Sequence, residues 1–216
     1  MKKMYILAVI AMFIASVTFA QKTEKELKKE VKENAMKEAQ KEAKRLSKEG
    51  WKTNPGSLPL DKLVEDAWMK QYQTDEKGEP FYIFADGNGV AESKSVAEAQ
   101  AIELAKLQLA GSIETQIGSL VKANLANAQA STQDATSVTE IIQSSKSVFL
   151  QQLGYVNPNF KIYRDLKENK IEVQVKIFYE TKQSFAIAKK AIRNELKDKL
   201  KKTDEQVDKL LQDPPK

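Results

Sequence analysis

The sequence predicts an α+β fold: long helices packed on one face of a small antiparallel sheet, with an N-terminal helical extension. Three stretches carry that expectation. In the alanine-rich run 95–125, Leu109, Ile113, Ile117, Leu120, Val121 and Leu125 recur at intervals of three and four. That spacing stacks them on one side of a 3.6-residue helix. In the run 171–179, Ile171, Val173, Val175, Ile177 and Tyr179 alternate with Glu172, Gln174 and Lys176, the period of a strand with one face buried. The helix stripe and the strand face each need a cover, and each suits the other. The third stretch is the Lys-, Glu- and Ala-rich run 22–48, whose thin apolar stripe is Leu27, Val31, Ala35, Ala39, Ala43 and Leu46. It supplies the helical extension, which is expected to cover the domain surface with its charged side in water.

The chain opens Met1-Lys2-Lys3, continues through an apolar run at 5–17 and closes on Thr18-Phe19-Ala20. Positive start, short apolar centre and small residues at Thr18 and Ala20 are the parts of a secretory signal peptide, expected to be cut between Ala20 and Gln21. A membrane span would need about 20 predominantly apolar residues, and this run is shorter. By composition the chain divides into the signal peptide (1–20), a charged N-terminal helix (21–50), a linker with a short helix (51–80), the α+β domain (81–200) and a C-terminal helical tail (201–216).

The sequence contains no cysteine and no histidine. Without cysteine no disulfide can staple the fold, so an apolar core must hold it. The modified cysteine of a bacterial lipoprotein is also missing, with Gln21 in its place, so no covalent membrane anchor is expected. Without histidine there is no Ser-His-Asp or Cys-His group, no HExxH zinc site and no Cys/His structural zinc. No cofactor or metal site is expected. Of the formal charge of +5, Lys2 and Lys3 contribute two, leaving +3 beyond residue 20 with acids and bases interspersed. Nucleic acid is not the expected partner, since a binder would gather its cations on one face and interleave aromatics.

Along the chain, Gly50 ends the first helix and 51–59, with Pro55-Gly56 and Pro59, is an irregular connection. A short helix follows at 61–72, and Trp51 and Trp68 are expected to cover the core. The run 81–85 is a compact aromatic strand, and Asp86-Gly87-Asn88-Gly89 reads as a tight turn feeding the central helix. It lacks the spacing of a calcium loop and of a phosphate-binding loop. Ser93, or Ser95 with Glu98 three residues on, is the expected cap of that helix. A break is expected at 130–136, then one helix through Val138, Ile141, Ile142, Val148 and Phe149, capped by Gly154. The strands 160–166 and 171–179 form a hairpin around a polar turn at 167–170. The last helix, 184–200, carries Phe185, Ala188, Ile192, Leu196 and Leu200 on one side. Val207, Leu210 and Leu211 extend it, and Pro214-Pro215 stops it.

Two catalytic hints are set aside. Ser119 and Lys122 match SxxK, but the accompanying serine motif and Lys-Thr-Gly strand of that chemistry are absent. The carboxylates Glu65 with Asp66 and Asp165 with Glu168 fall in charged helix faces or turns without the separation that singles out an acid and a base. No residue is therefore assigned a catalytic role, and the chain is not expected to be an enzyme.

The order aromatic strand, glycine turn, alanine-rich helix, second helix, hairpin and final helix resembles the Lpp-twenty lipoprotein family of bacterial envelope proteins, as a non-lipidated variant. The likeness rests on residues 81–89, on Ala97, Ala99, Ala101, Ala105 and Ala110, and on the strand 171–179, and covers about residues 81–199. It implies a long helix on a curved antiparallel sheet and a small envelope component with no established catalytic site. It supplies no active residues to carry over. The resulting expectation is an exported, non-catalytic envelope protein that acts in binding or assembly, periplasmic or secreted or held at the periphery of the outer membrane. Its partner would be another envelope protein or a second copy, paired through the sheet edge or the N-terminal helix. The alternatives are a carboxylate-based hydrolase of cell-wall material and a carrier of a hydrophobic ligand between helix and sheet.

Overall fold

The computed structural model describes residues 24–127, 132–201 and 203–212. The signal peptide and its expected cleavage junction at Ala20 and Gln21 lie outside these residues. In chain order the elements are α1 (Glu24–Lys48), α2 (Leu60–Gln71), β1 (Tyr82–Ala91), α3 (Lys94–Asn127), α4 (Thr132–Ser144), α5 (Lys146–Leu153), β2 (Phe160–Asp165), β3 (Ile171–Glu180), α6 (Thr181–Leu200) and α7 (Asp204–Leu211). The strands form one antiparallel sheet in the order β1-β3-β2. The α+β class, with long helix α3 on one sheet face, is the one the sequence predicts.

Helix α3 serves two layers because of its own periodicity. Its buried residues Ala97, Ala101, Ala105, Leu109, Ile113, Ile117, Val121 and Leu125 are spaced four apart. Four steps overshoot a turn by about 40°, so the apolar stripe winds around the helix. Its first half meets the sheet face carrying Ile83, Ala85, Val173, Val175 and Ile177, while its second half packs with Val138, Ile141, Phe149, Ile192, Leu196, Val207 and Leu210 of the other helices. Each fully buried Leu, Ile or Val contributes about 1.5–3 kcal/mol relative to exposure.

The opposite sheet face has its own cover. Phe160, Ile162 and Phe178 pack with Leu63, Val64 and Ala67 of α2, Ala39, Ala43 and Leu46 of α1, and the buried Trp51. Trp68 is half-buried, and its indole N–H donates to Glu42 Oε2 at 2.6 Å, tying α2 to α1. The N-terminal helices thus form the third layer of a helix–sheet–helix stack.

Several local expectations change. Asp86-Gly87-Asn88-Gly89 is no turn: β1 runs straight through it, paired residue for residue with β3 from Tyr82↔Glu180 to Ala91↔Ile171. Glu172 does not face solvent; it is buried, and Arg164 Nε donates to it at 2.6 Å and Asn88 Nδ2 at 2.7 Å. Ser93 precedes α3 and accepts from Val96 N at 3.4 Å, whereas Glu98 pairs with Lys161 at 2.6 Å, so no capping box forms there. The helix expected through Val138 and Phe149 is split at Ser145, whose hydroxyl donates to the Ile141 carbonyl. The final helix is likewise divided: Lys201, at φ 50°, ends α6, and Thr203 with Gln206 forms a reciprocal capping box that starts α7. The β2–β3 hairpin and the Gly154 cap, at φ 61°, stand as expected.

Candidate functional site

The two edges of the sheet are not alike. On β2, Tyr163 exchanges backbone hydrogen bonds of 2.7 and 2.9 Å with Lys52, so the connection after α1 covers the middle of that edge. Strand β1 is the other edge. Phe81 O accepts from Thr181 N at 2.9 Å, which fixes the alternation: Ile83, Ala85, Gly87, Gly89 and Ala91 bond inward to β3, while the backbone groups of Phe84, Asp86, Asn88 and Val90 point outward. Among the described residues, one bond reaches this outer row: Asp86 N–H donates to Gln108 Oε1 at 3.1 Å.

Gln108 gets there because α3 lies directly on β1. A Cβ built on Gly87 would stand 1.9 Å from Ala101 O, and one on Gly89 would stand 2.1 Å from Ala97 O and 2.9 Å from Gln100 Cβ. Only glycine admits a helix backbone that close. The contact leaves no ligand-sized gap between α3 and β1. It also places the row Gln100, Leu104, Gln108, spaced one turn apart, beside the strand's outer edge. Val96 and Leu107 continue that side of the helix. Val96, Leu104, Leu107 and the strand residue Val90 are 43–51% exposed. In a chain with 30% charged residues, Val96, Gln100, Leu104, Leu107 and Gln108 form a strip along an open strand edge whose one bordering charge, Glu103, is paired with Lys106 at 3.3 Å. The nearby carboxylate Asp86 is neutralised by Lys176 at 3.4 Å, whose ammonium also stands 4.8 Å from the Phe84 ring centroid.

Other features are weaker. An open groove of about 860 Å³ between α6 and α7 is lined by Lys189, Lys190, Arg193, Asp208 and Lys209. Arg193 is paired with Asp208 and Asp204, and Lys209 with Glu205, so much of its charge is already met. An apolar pocket lined by Ile113, Ile142, Phe149 and Ile192 holds about 20 Å³, the room of a single water. At the start of α3, Lys94 stands 3.4 Å from the Tyr163 ring centroid; burial pushes its ammonium pKa down, with neighbouring Lys161 acting the same way and Glu98 opposing.

The residues weighed in the sequence for catalysis are scattered. Ser119 is exposed and donates to the Thr115 carbonyl at 2.9 Å. Glu65 pairs with Lys62, Asp66 with Lys70, Asp165 with Lys52 and Glu168 with Lys170. Among the described residues no cluster of three or more acidic side chains is placed to hold a metal ion, and no helix is long and apolar enough to cross a membrane. The strip itself went unread in the sequence, although Val96, Leu104 and Leu107 are apolar residues off the main α3 stripe. Comparison with protein-family models, with characterised proteins and with solved structures finds no match.

Proposed function

We propose that this chain is an exported, non-catalytic protein of the bacterial envelope that works by binding or assembly, with the outer edge of β1 and the adjoining strip of α3 as its working surface. The observation that carries this reading is the pairing of open strand backbone with exposed Val90, Val96, Leu104 and Leu107. A soluble protein that leaves a long strand edge uncovered invites another chain to pair with it, and an apolar margin beside the edge adds non-directional attraction. Export rests on the first 20 residues, and the likeness to the Lpp-twenty family points to the same compartment and to the same kind of role.

A photo-crosslinking residue placed at Leu104 in the native host, with a second placed at Lys62 on α2 as control, tests the proposal. One protein from the envelope fraction should crosslink reproducibly at Leu104 and not at Lys62. Equal, nonspecific labelling at the two positions would reject this surface as the working one.

A further inference from the structure

Resting on that reading, we infer that the β1 edge receives a single extended segment of another chain, with small uncharged residues on the side facing α3, and not the β1 edge of a second copy. Both halves follow from where α3 sits. Paired strands lie about 4.8 Å apart. Because α3 rests on β1 itself, a two-fold β1–β1 pairing would bring two α3 backbones to roughly one strand spacing, whereas packed helices need about 8–10 Å between axes. The helix therefore excludes its own copy. A lone strand brings no helix and has access to the outward groups of Phe84, Asn88 and Val90.

The chemistry of the occupant is set on three sides. Its backbone must be extended, since only alternating N–H and C=O groups match the outer row. Toward α3 it meets Gln100, Leu104 and Gln108 at the short helix–sheet distance that Gly87 and Gly89 permit, so its residues there are small and uncharged. On the other face it meets Phe84, Asp86, Asn88 and Val90. Gln108 occupies the edge meanwhile: its Oε1 accepts the Asp86 N–H that a partner carbonyl would otherwise take, so binding requires Gln108 to swing away.

The chain's own 82–91 sequence, detached from α3, meets these conditions except at Ile83, which falls near its end opposite Ala91, and serves as the probe. Laid antiparallel with Gly87 opposite Gly87, it places its Asn88 opposite Asp86 and its Val90 opposite Phe84, pairings of matching polarity and of aromatic with β-branched side chains. Toward α3 it offers Ala85, Gly87, Gly89 and Ala91.

The test is titration of the capped synthetic peptide 82–91 into the ¹⁵N-labelled protein lacking residues 1–20, alongside light scattering of the protein alone. Expected are a monomer, saturable shifts centred on the amides of Phe84, Asp86, Asn88 and Val90, at least tenfold weaker binding in Leu104→Lys, and several-fold tighter binding in Gln108→Ala. Both substituted side chains are exposed, so the variants keep the fold. Absence of saturable shifts, indifference to Leu104→Lys, or a dimer crosslinked through Asn88 would each overturn the inference. A host partner captured at Leu104 by a folded surface, with no peptide binding, would refute the inference and leave the assembly reading standing. Peptide binding without any host partner would refute the assembly reading alone.

Discussion

The carbonyl oxygen of Ala101 occupies the place where a side chain on Gly87 would begin, 1.9 Å from an ideal Cβ at that position. The neighbouring atoms there are also backbone, Ala105 N at 2.7 Å and Ala101 C at 2.9 Å, so nothing flexible can give way. Gly87→Ala must lift α3 from the sheet. Such overpacking costs about 1–3 kcal/mol and more where backbone has to move, so a clear fall in melting temperature is expected by circular dichroism. Gly111, in the interior of α3, is the counter-case: a Cβ there meets only Lys146 Nζ at 3.6 Å. Gly111→Ala should raise stability by about 0.5–1 kcal/mol through helix propensity. Equal effects of the two substitutions would show that Gly87 has no packing role.

Glu172 holds the polar part of the second sheet face, accepting from Arg164 and Asn88. Glu172→Ala leaves the half-buried Arg164 guanidinium, beside Trp51, without its carboxylate, while the exposed Asn88 amide turns to water. The expected loss is about 1–2 kcal/mol, read as a lower urea midpoint. Glu172→Gln should retain part of it. A change below about 0.5 kcal/mol for the alanine variant, the range of an ordinary surface substitution, would contradict this account.

Trp51 is buried where the chain leaves α1, and the Arg164 guanidinium lies 4.6 Å from its ring centroid. Trp51→Ala should cost about 3–5 kcal/mol and should loosen α1 and α2 before the α3 core. Amide exchange provides the measurement: α1 protection should fall while that of Ile113 and Ile117 is kept. Uniform loss from α1 through α3 would mean that the N-terminal helices are not a separate unit.

Helix α7 is clasped to α6 by charge. Asp204 and Asp208 are held below the usual carboxylate range, Asp204 chiefly by the Lys197 hydrogen bond with Arg193 adding to it, Asp208 chiefly by Arg193. A carboxyl whose pKa is lowered on folding stabilises above its unfolded value, about 3.9, and that contribution is lost as pH falls through the lowered folded value. Arg193, raised by the same partners, stays charged throughout. Protection of Val207 and Leu210 amides should therefore be flat from pH 7 to about 4 and fall below it. Arg193→Gln should weaken protection at pH 7 and reduce the acid dependence. An undiminished acid transition in that variant would assign the transition elsewhere.

The parts legible in the sequence are those whose signal is a local period. The recurrence at three and four residues from Leu109 to Leu125 gives α3, the alternation from Ile171 to Tyr179 gives β3, and together they give the α+β class. The Gly pair was misread because glycine marks a turn as readily as a close contact, and only the opposing Ala101 distinguishes the two. Ser145 and Lys201 divide helices that an apolar periodicity joins, because a periodic stripe continues across a break when both pieces face the same core.

By itself the sequence determined the apolar stripe of α3 from Leu109 to Leu125 and the buried face of β3, and that neither cysteine nor histidine chemistry is available. Tertiary structure decided that Glu172 is buried, that Lys52 bridges the middle of the β2 edge while β1 stays open, and that Gln108 reaches the open edge. The reason is physical: a period along the chain reports which side of an element is apolar, but burial and pairing depend on what another element places there. At Gly87 that neighbour is the backbone of a helix some 14 residues further on.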